Sequence, residues 1–129
     1  MRLLLESYAV SHIDEEQREK YRERMEYLLQ VIQTAPRPAY AELDAELHET
    51  IILMSGNDTL LNLYRLLYSQ ITTFRQVSLS AEATFADATK AHVAILDGLL
   101  NGNDERVLKI ISNHLRISQD AVKEYYNQI

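Results

Sequence analysis

The 129-residue chain has no cysteine and no tryptophan, only two prolines and only three glycines. The missing cysteine excludes disulfides and thiolate metal ligation, and fits a reduced cytoplasmic setting. So few turn-formers, in a chain rich in Leu, Ala, Glu and Arg, predict long helices with short connections. No uninterrupted apolar run exceeds four residues ("IILM", "VAIL"), so no segment reads as a membrane span or a secretory core. Basic charge is also scarce: 13 Lys and Arg against 19 Asp and Glu give a formal net charge of −6. That balance argues against this chain gripping nucleic acid by itself, which needs a basic footprint, and favours a small-molecule or protein partner. The remainder is ordinary for a globular protein, 47% hydrophobic and 25% charged, and the length suits a single domain over residues 1–129.

Apolar spacing and breakers predict an all-α fold, an antiparallel bundle of about six helices. The first is "RLLLESYAVSHI", followed by Asp14 as an N-cap for a second, "DEEQREKYRERMEYLLQVIQ", whose acidic first turn suits the positive helix end. "PRP" (Pro36 to Pro38) ends it, and a third helix covers roughly 39–54. "SGND" stops that helix, with Gly56 as a left-handed cap and Asn57 or Asp58 opening a fourth over about 58–77. The fourth carries Leu60, Leu63, Tyr64, Leu67, Ile71 and Phe74 on one stripe. "SLSAEATFAD" reads as a connection, with Thr84 and Asp87 as a capping pair. "ATKAHVAILDGLL" forms the fifth helix, "NGND" the turn, and a sixth runs from about Asp104 towards the C-terminus.

Three of the four histidines fall on apolar faces. His48 shares its face with Asp44, four residues earlier, and with Ile51 and Ile52, three and four later. His92 shares its face with Ile95, Leu96, Leu99 and Leu100, and His114 with Val107, Ile110 and Ile111. His12 sits at a helix end beside Ser11 and Asp14 and reads as solvated. Any one inward histidine is ordinarily a core residue satisfied by a hydrogen bond, and Asp44 could serve only to bond His48. Together, three imidazoles and a carboxylate directed inward favour a divalent cation, because an uncompensated buried carboxylate costs several kcal/mol, roughly. The donor set suits zinc, nickel, manganese or iron(II).

Other chemistries fit less well. "HETII" begins like His-Glu-x-x-His, but Ile52 stands where the second histidine belongs. Paired Glu-x-x-His motifs are missing too: Ala45, Thr89 and Ile111 stand three residues before the three histidines. No glycine-rich phosphate loop is present. A metal-dependent hydrolase could use the same four residues, yet Glu46 and Glu49 lie at the wrong helical angles for a general base. A purely structural, dimerising bundle with satisfied core histidines is the other alternative.

Taken in order, "RLLLE", the Asp-x-x-x-His of Asp44 and His48, "SGND", "KAHVAILDGLLNGND" and "NHL" resemble the FCD domain, the effector-binding domain of FadR-subfamily GntR transcription regulators. The resemblance spans essentially the whole chain, with gaps of 44 residues from His48 to His92 and 22 from His92 to His114. It implies an all-α antiparallel bundle and a metal held by Asp44, His48, His92 and His114. It further implies a small carboxylate metabolite as effector, a homodimer, and a regulatory rather than enzymatic role. Arg2 matches the family's first-helix arginine, and Arg75 lies beside the fourth-helix stripe; each is a candidate to clamp the effector's carboxylate. Their plainer readings are a salt bridge from Arg2 to Glu6 and a solvated helix end for Arg75. Zinc is the expected metal, with nickel or manganese as alternatives. The family's winged-helix DNA-binding domain has no counterpart in these residues, which implies an excised domain or a stand-alone sensor. Leu47 stands where the family often has Phe, and remains apolar.

Overall fold

The computed structural model describes the backbone of residues 2–78 and 82–127. Eight helices follow one another: α1 (Arg2–Ser11), α2 (Glu15–Lys20), α3 (Arg22–Ile32), α4 (Arg37–Met54), α5 (Asp58–Leu66), α6 (Tyr68–Ser78), α7 (Glu82–Leu100) and α8 (Asp104–Asn127). The all-α bundle expected from the sequence is what forms. Eight segments arise where six were expected because two predicted helices are broken, at Tyr21 and at Leu67. Neither break has a local proline or glycine. The backbone there leaves the α region (φ −105°, ψ 8° at Tyr21; φ −94°, ψ 3° at Leu67).

The ends follow local chemistry. Asp14 caps α2 by accepting from the Gln17 N–H at 2.8 Å, and Asn57 caps α5 by accepting from the Leu60 N–H at 3.1 Å. Gly56 ends α4 at φ +66°, a conformation that costs glycine nothing. The region read as a connection before the fifth helix instead belongs partly to α7, which begins at Glu82. Thr84's side chain lies outside the described residues, so the proposed Thr84/Asp87 cap does too.

The core gathers Leu5, Val10, Met25, Leu28, Ile51, Ile52, Ile95, Leu96, Leu99, Val107 and Ile111 from α1, α3, α4, α7 and α8. On the α5–α6 stripe, Leu60, Tyr64 and Ile71 are buried as expected and Leu67 is half-buried, but Leu63 is exposed: it lies on α5 with Leu60 and Tyr64, on the edge of their face. The Phe74 side chain lies outside the described residues. Helix α7 packs along α8 and across α3, while α1 lies against α4 and α8. At the α7–α8 turn the pair is so close that a Cβ on Gly98 would sit 2.6 Å from Val107 Cγ2. Arg18 locks the same end. Its guanidinium donates to the Leu99 carbonyl at 2.5 Å and to Asp104 at 2.8 Å, joining α2 to the end of α7 and the start of α8. Burial opposes that charge, but Asp104 and Glu15 more than offset it and raise the Arg18 pKa.

Candidate metal centre

The packing brings α4, α7 and α8 together at their histidines. His48, His92 and His114 are all buried, and one ligand nitrogen from each lies within 4.8 Å of the others. His92 Nε2 is 3.2 Å from His48 Nε2 and 3.1 Å from His114 Nε2. The His48 and His114 rings are near-parallel (8°), and His92 stands edge-on to both. Asp44, one turn before His48, joins them: its Oδ1 lies 2.9 Å from His48 Nε2 and 3.4 Å from His92 Nε2.

These spacings fit the edges of a coordination shell. Donors bound at about 2.1 Å are roughly 3.0 Å apart at right angles and roughly 3.4 Å apart at the tetrahedral angle. Asp44 Oδ1 is also a buried oxygen with no well-formed hydrogen bond despite the nearby imidazole nitrogens, an arrangement that a cation would satisfy. Burial alone would raise the Asp44 carboxyl. His92 and His48, when protonated, together with Arg75 outweigh it and hold the group well below the usual carboxylate range.

The imidazoles are oriented from outside the cluster. Glu6 of α1, fully buried, bonds His48 Nδ1. A carboxylate can only accept, so the proton of neutral His48 sits on Nδ1 and the Nε2 lone pair faces His92 and Asp44. Tyr40, one turn before Asp44, bonds His92 Nδ1 at 2.7 Å through its hydroxyl. Burial, reinforced by the Asp44 charge and opposed by Thr89, raises the Tyr40 pKa beyond its ordinary range, so the hydroxyl keeps its proton. The carboxylate behind His48 fixes both its tautomer and its ring orientation, while the hydroxyl behind His92, able to donate or accept, holds the ring in place.

Glu6 and Tyr40 were not among the residues singled out from the sequence. Both carried a signal. Ala9 and Val10 follow Glu6 at three and four residues, the spacing that exposed His48 as inward-facing. Tyr40, Asp44 and His48 fall at successive four-residue steps. Arg75, read alternatively as a solvated helix end, is instead buried, with its Nε 3.4 Å from Asp44 Oδ2. The Arg2 side chain lies outside the described residues. His12 is exposed as expected, stacked on Tyr8.

Comparison with known proteins agrees with this architecture. No curated protein matches the sequence. Among solved structures, the chain is similar to the metal-free FCD domain of TM0439, a protein proposed to regulate transcription, with a TM-score of 0.77 at 19% identity, over 98% of this chain and 89% of that one. The sequence profile of the FCD domain matches residues 1–117. The chain belongs to the FCD domain family.

Proposed function

We propose that this chain is the ligand-sensing domain of a GntR-type transcription regulator of the FadR subfamily. It holds a divalent metal on Asp44, His48, His92 and His114 and binds a small carboxylate effector beside it. One observation carries the reading: the ligand nitrogens of His48, His92 and His114 converge within 4.8 Å of one another, a carboxylate oxygen of Asp44 lies against two of them, and Glu6 and Tyr40 brace the rings from behind. A bound cation would neutralise the buried Asp44 and offer further positions to a carboxylate. Zinc is the first choice for a histidine-rich set, with nickel or manganese as alternatives.

Arg75 would supply the second contact to the effector. Its buried guanidinium already lies against Asp44, and an arginine fork matches a carboxylate. Sensing accounts for the site better than hydrolysis. Glu46 is exposed and Glu49 pairs with Arg65 at 3.5 Å, so neither glutamate flanking His48 is placed as a general base.

The regulator would act as a homodimer and read DNA through a winged-helix domain rather than through this acidic chain. Leu3, Leu4, Tyr8, Leu63, Leu66 and Tyr68, all exposed, lie on α1, α5 and the start of α6, and α1 packs against α5. A concentration of large apolar side chains on adjacent elements is the usual mark of an association surface. Thermal-shift screening of small carboxylates on metal-loaded protein tests the sensing role. At least one should raise the melting temperature of the wild type and fail to do so in Arg75→Ala. Stabilisation by none would contradict the effector assignment.

A further inference from the structure

The three imidazoles are not equally sheltered. His48 and His92 have no exposed surface, whereas His114 retains 6%. His114 is also a wall of a groove of about 480 Å³ between α7 and α8. Ala88 and Ala91 leave space on the α7 side, Ile110 lines the α8 side, and Lys90, Lys109 and Asp87 are exposed around it. The tight contact at Gly98 closes the other end of the helix pair. A larger cavity of about 820 Å³, on the side of α8 facing α1 and α6, touches none of the four candidate ligands.

The electrostatics of the smaller groove select for sign. Two lysines against one aspartate make its lining net positive in a chain of net charge −6. A locally positive entrance concentrates anions and raises their on-rate, an effect that salt screens.

We propose that the α7–α8 groove is the port through which a carboxylate-bearing ligand reaches the metal centre, with Lys90 and Lys109 drawing it in. The port rests on reading the histidine cluster as a metal site. It adds a route and a charge preference, and makes His114 the ligand that an incoming anion meets first.

The test uses the full chain loaded with cobalt(II), whose visible absorption decays as EDTA, a polycarboxylate probe, removes the metal. Lys90 and Lys109 are exposed, so the K90E/K109E double variant leaves the core intact. Extraction should be first order in EDTA. It should slow severalfold in K90E, whose lysine borders this groove and not the larger cavity, and about tenfold in K90E/K109E at low salt, with the difference shrinking at high salt. Ala91→Phe, which fills the groove, should also slow it. Equilibrium cobalt affinity should stay unchanged in K90E/K109E, and Arg116→Glu, on the larger cavity, should extract like wild type. Rates independent of EDTA concentration, or equal in K90E/K109E and Arg116→Glu, would overturn the port. Failure of the wild type to take up cobalt would appear in the loading titration, before any chelator is added, and would overturn the metal site itself.

Discussion

Glu6 on α1 bonds Nδ1 of His48 on α4, across the interior of the bundle, and both side chains are fully buried. The contact ties the first helix to the candidate metal centre and fixes which nitrogen of His48 is free to bind. Replacing Glu6 by Leu removes the acceptor while keeping the site apolar and filled. Metal affinity should fall about 10- to 100-fold, as is typical when the partner behind a ligating histidine is lost. Melting curves should show a larger loss in metal-loaded than in metal-free protein. Equal losses in both states would make Glu6 a structural residue only.

Arg18 is held between the Leu99 carbonyl, Asp104 and Glu15. Glu15 is exposed and Asp104 partly so, and water can solvate both; Arg18→Met chiefly leaves the buried Leu99 carbonyl without its donor and should cost about 1–3 kcal/mol. Urea unfolding measures this directly. A change below about 0.5 kcal/mol, the range of ordinary surface substitutions, would contradict the clasp.

At Gly98 the constraint is steric. A methyl group there meets Val107 Cγ2 at 2.6 Å, so α7 and α8 must separate or Val107 must shift. Gly98→Ala should cost about 1–3 kcal/mol despite alanine's better helix propensity. The same substitution should weaken metal binding, since His92 and His114 ride on those two helices. A stabilised variant would show that the pair has slack.

The apolar face of α1, α5 and α6 predicts self-association. Leu66 is 79% exposed and Leu4 69%. Light scattering should find a dimer for the wild type and a monomer for the Leu4→Glu/Leu66→Glu variant. The double variant should melt no earlier than the wild type by more than the loss of association explains. A monomeric wild type at micromolar concentration would rule out this face as a strong interface.

Much of this site was legible in the sequence, for a specific reason. Asp44 and His48 fall one turn apart on a stripe continued by Ile51 and Ile52, and His92 and His114 stand on equally apolar faces, so helical period alone directs all four inward. What period cannot reveal is which inward faces meet: the convergence of α4, α7 and α8 is a tertiary fact. Glu6 has Arg2 one turn away as a plain surface partner, yet Ala9 and Val10, three and four residues on, put it on the same kind of apolar face as His48. The breaks at Tyr21 and Leu67 leave no local trace, because neither residue is a helix breaker and no proline or glycine stands beside them. Arg18 shows the same limit. Two of its partners, the Leu99 carbonyl and Asp104, lie more than 80 residues away, so only the folded chain reveals that an arginine in a charged run is buried.

The most direct test of the account is metal content, measured by elemental mass spectrometry on untagged protein purified without chelator. A divalent ion near one per chain is predicted in the wild type, with loss of most of it in His92→Ala and in His114→Ala. A wild type that stays empty after incubation with zinc, nickel and manganese would contradict the metal centre and leave His48, His92 and His114 as hydrogen-bonded core residues of an FCD bundle.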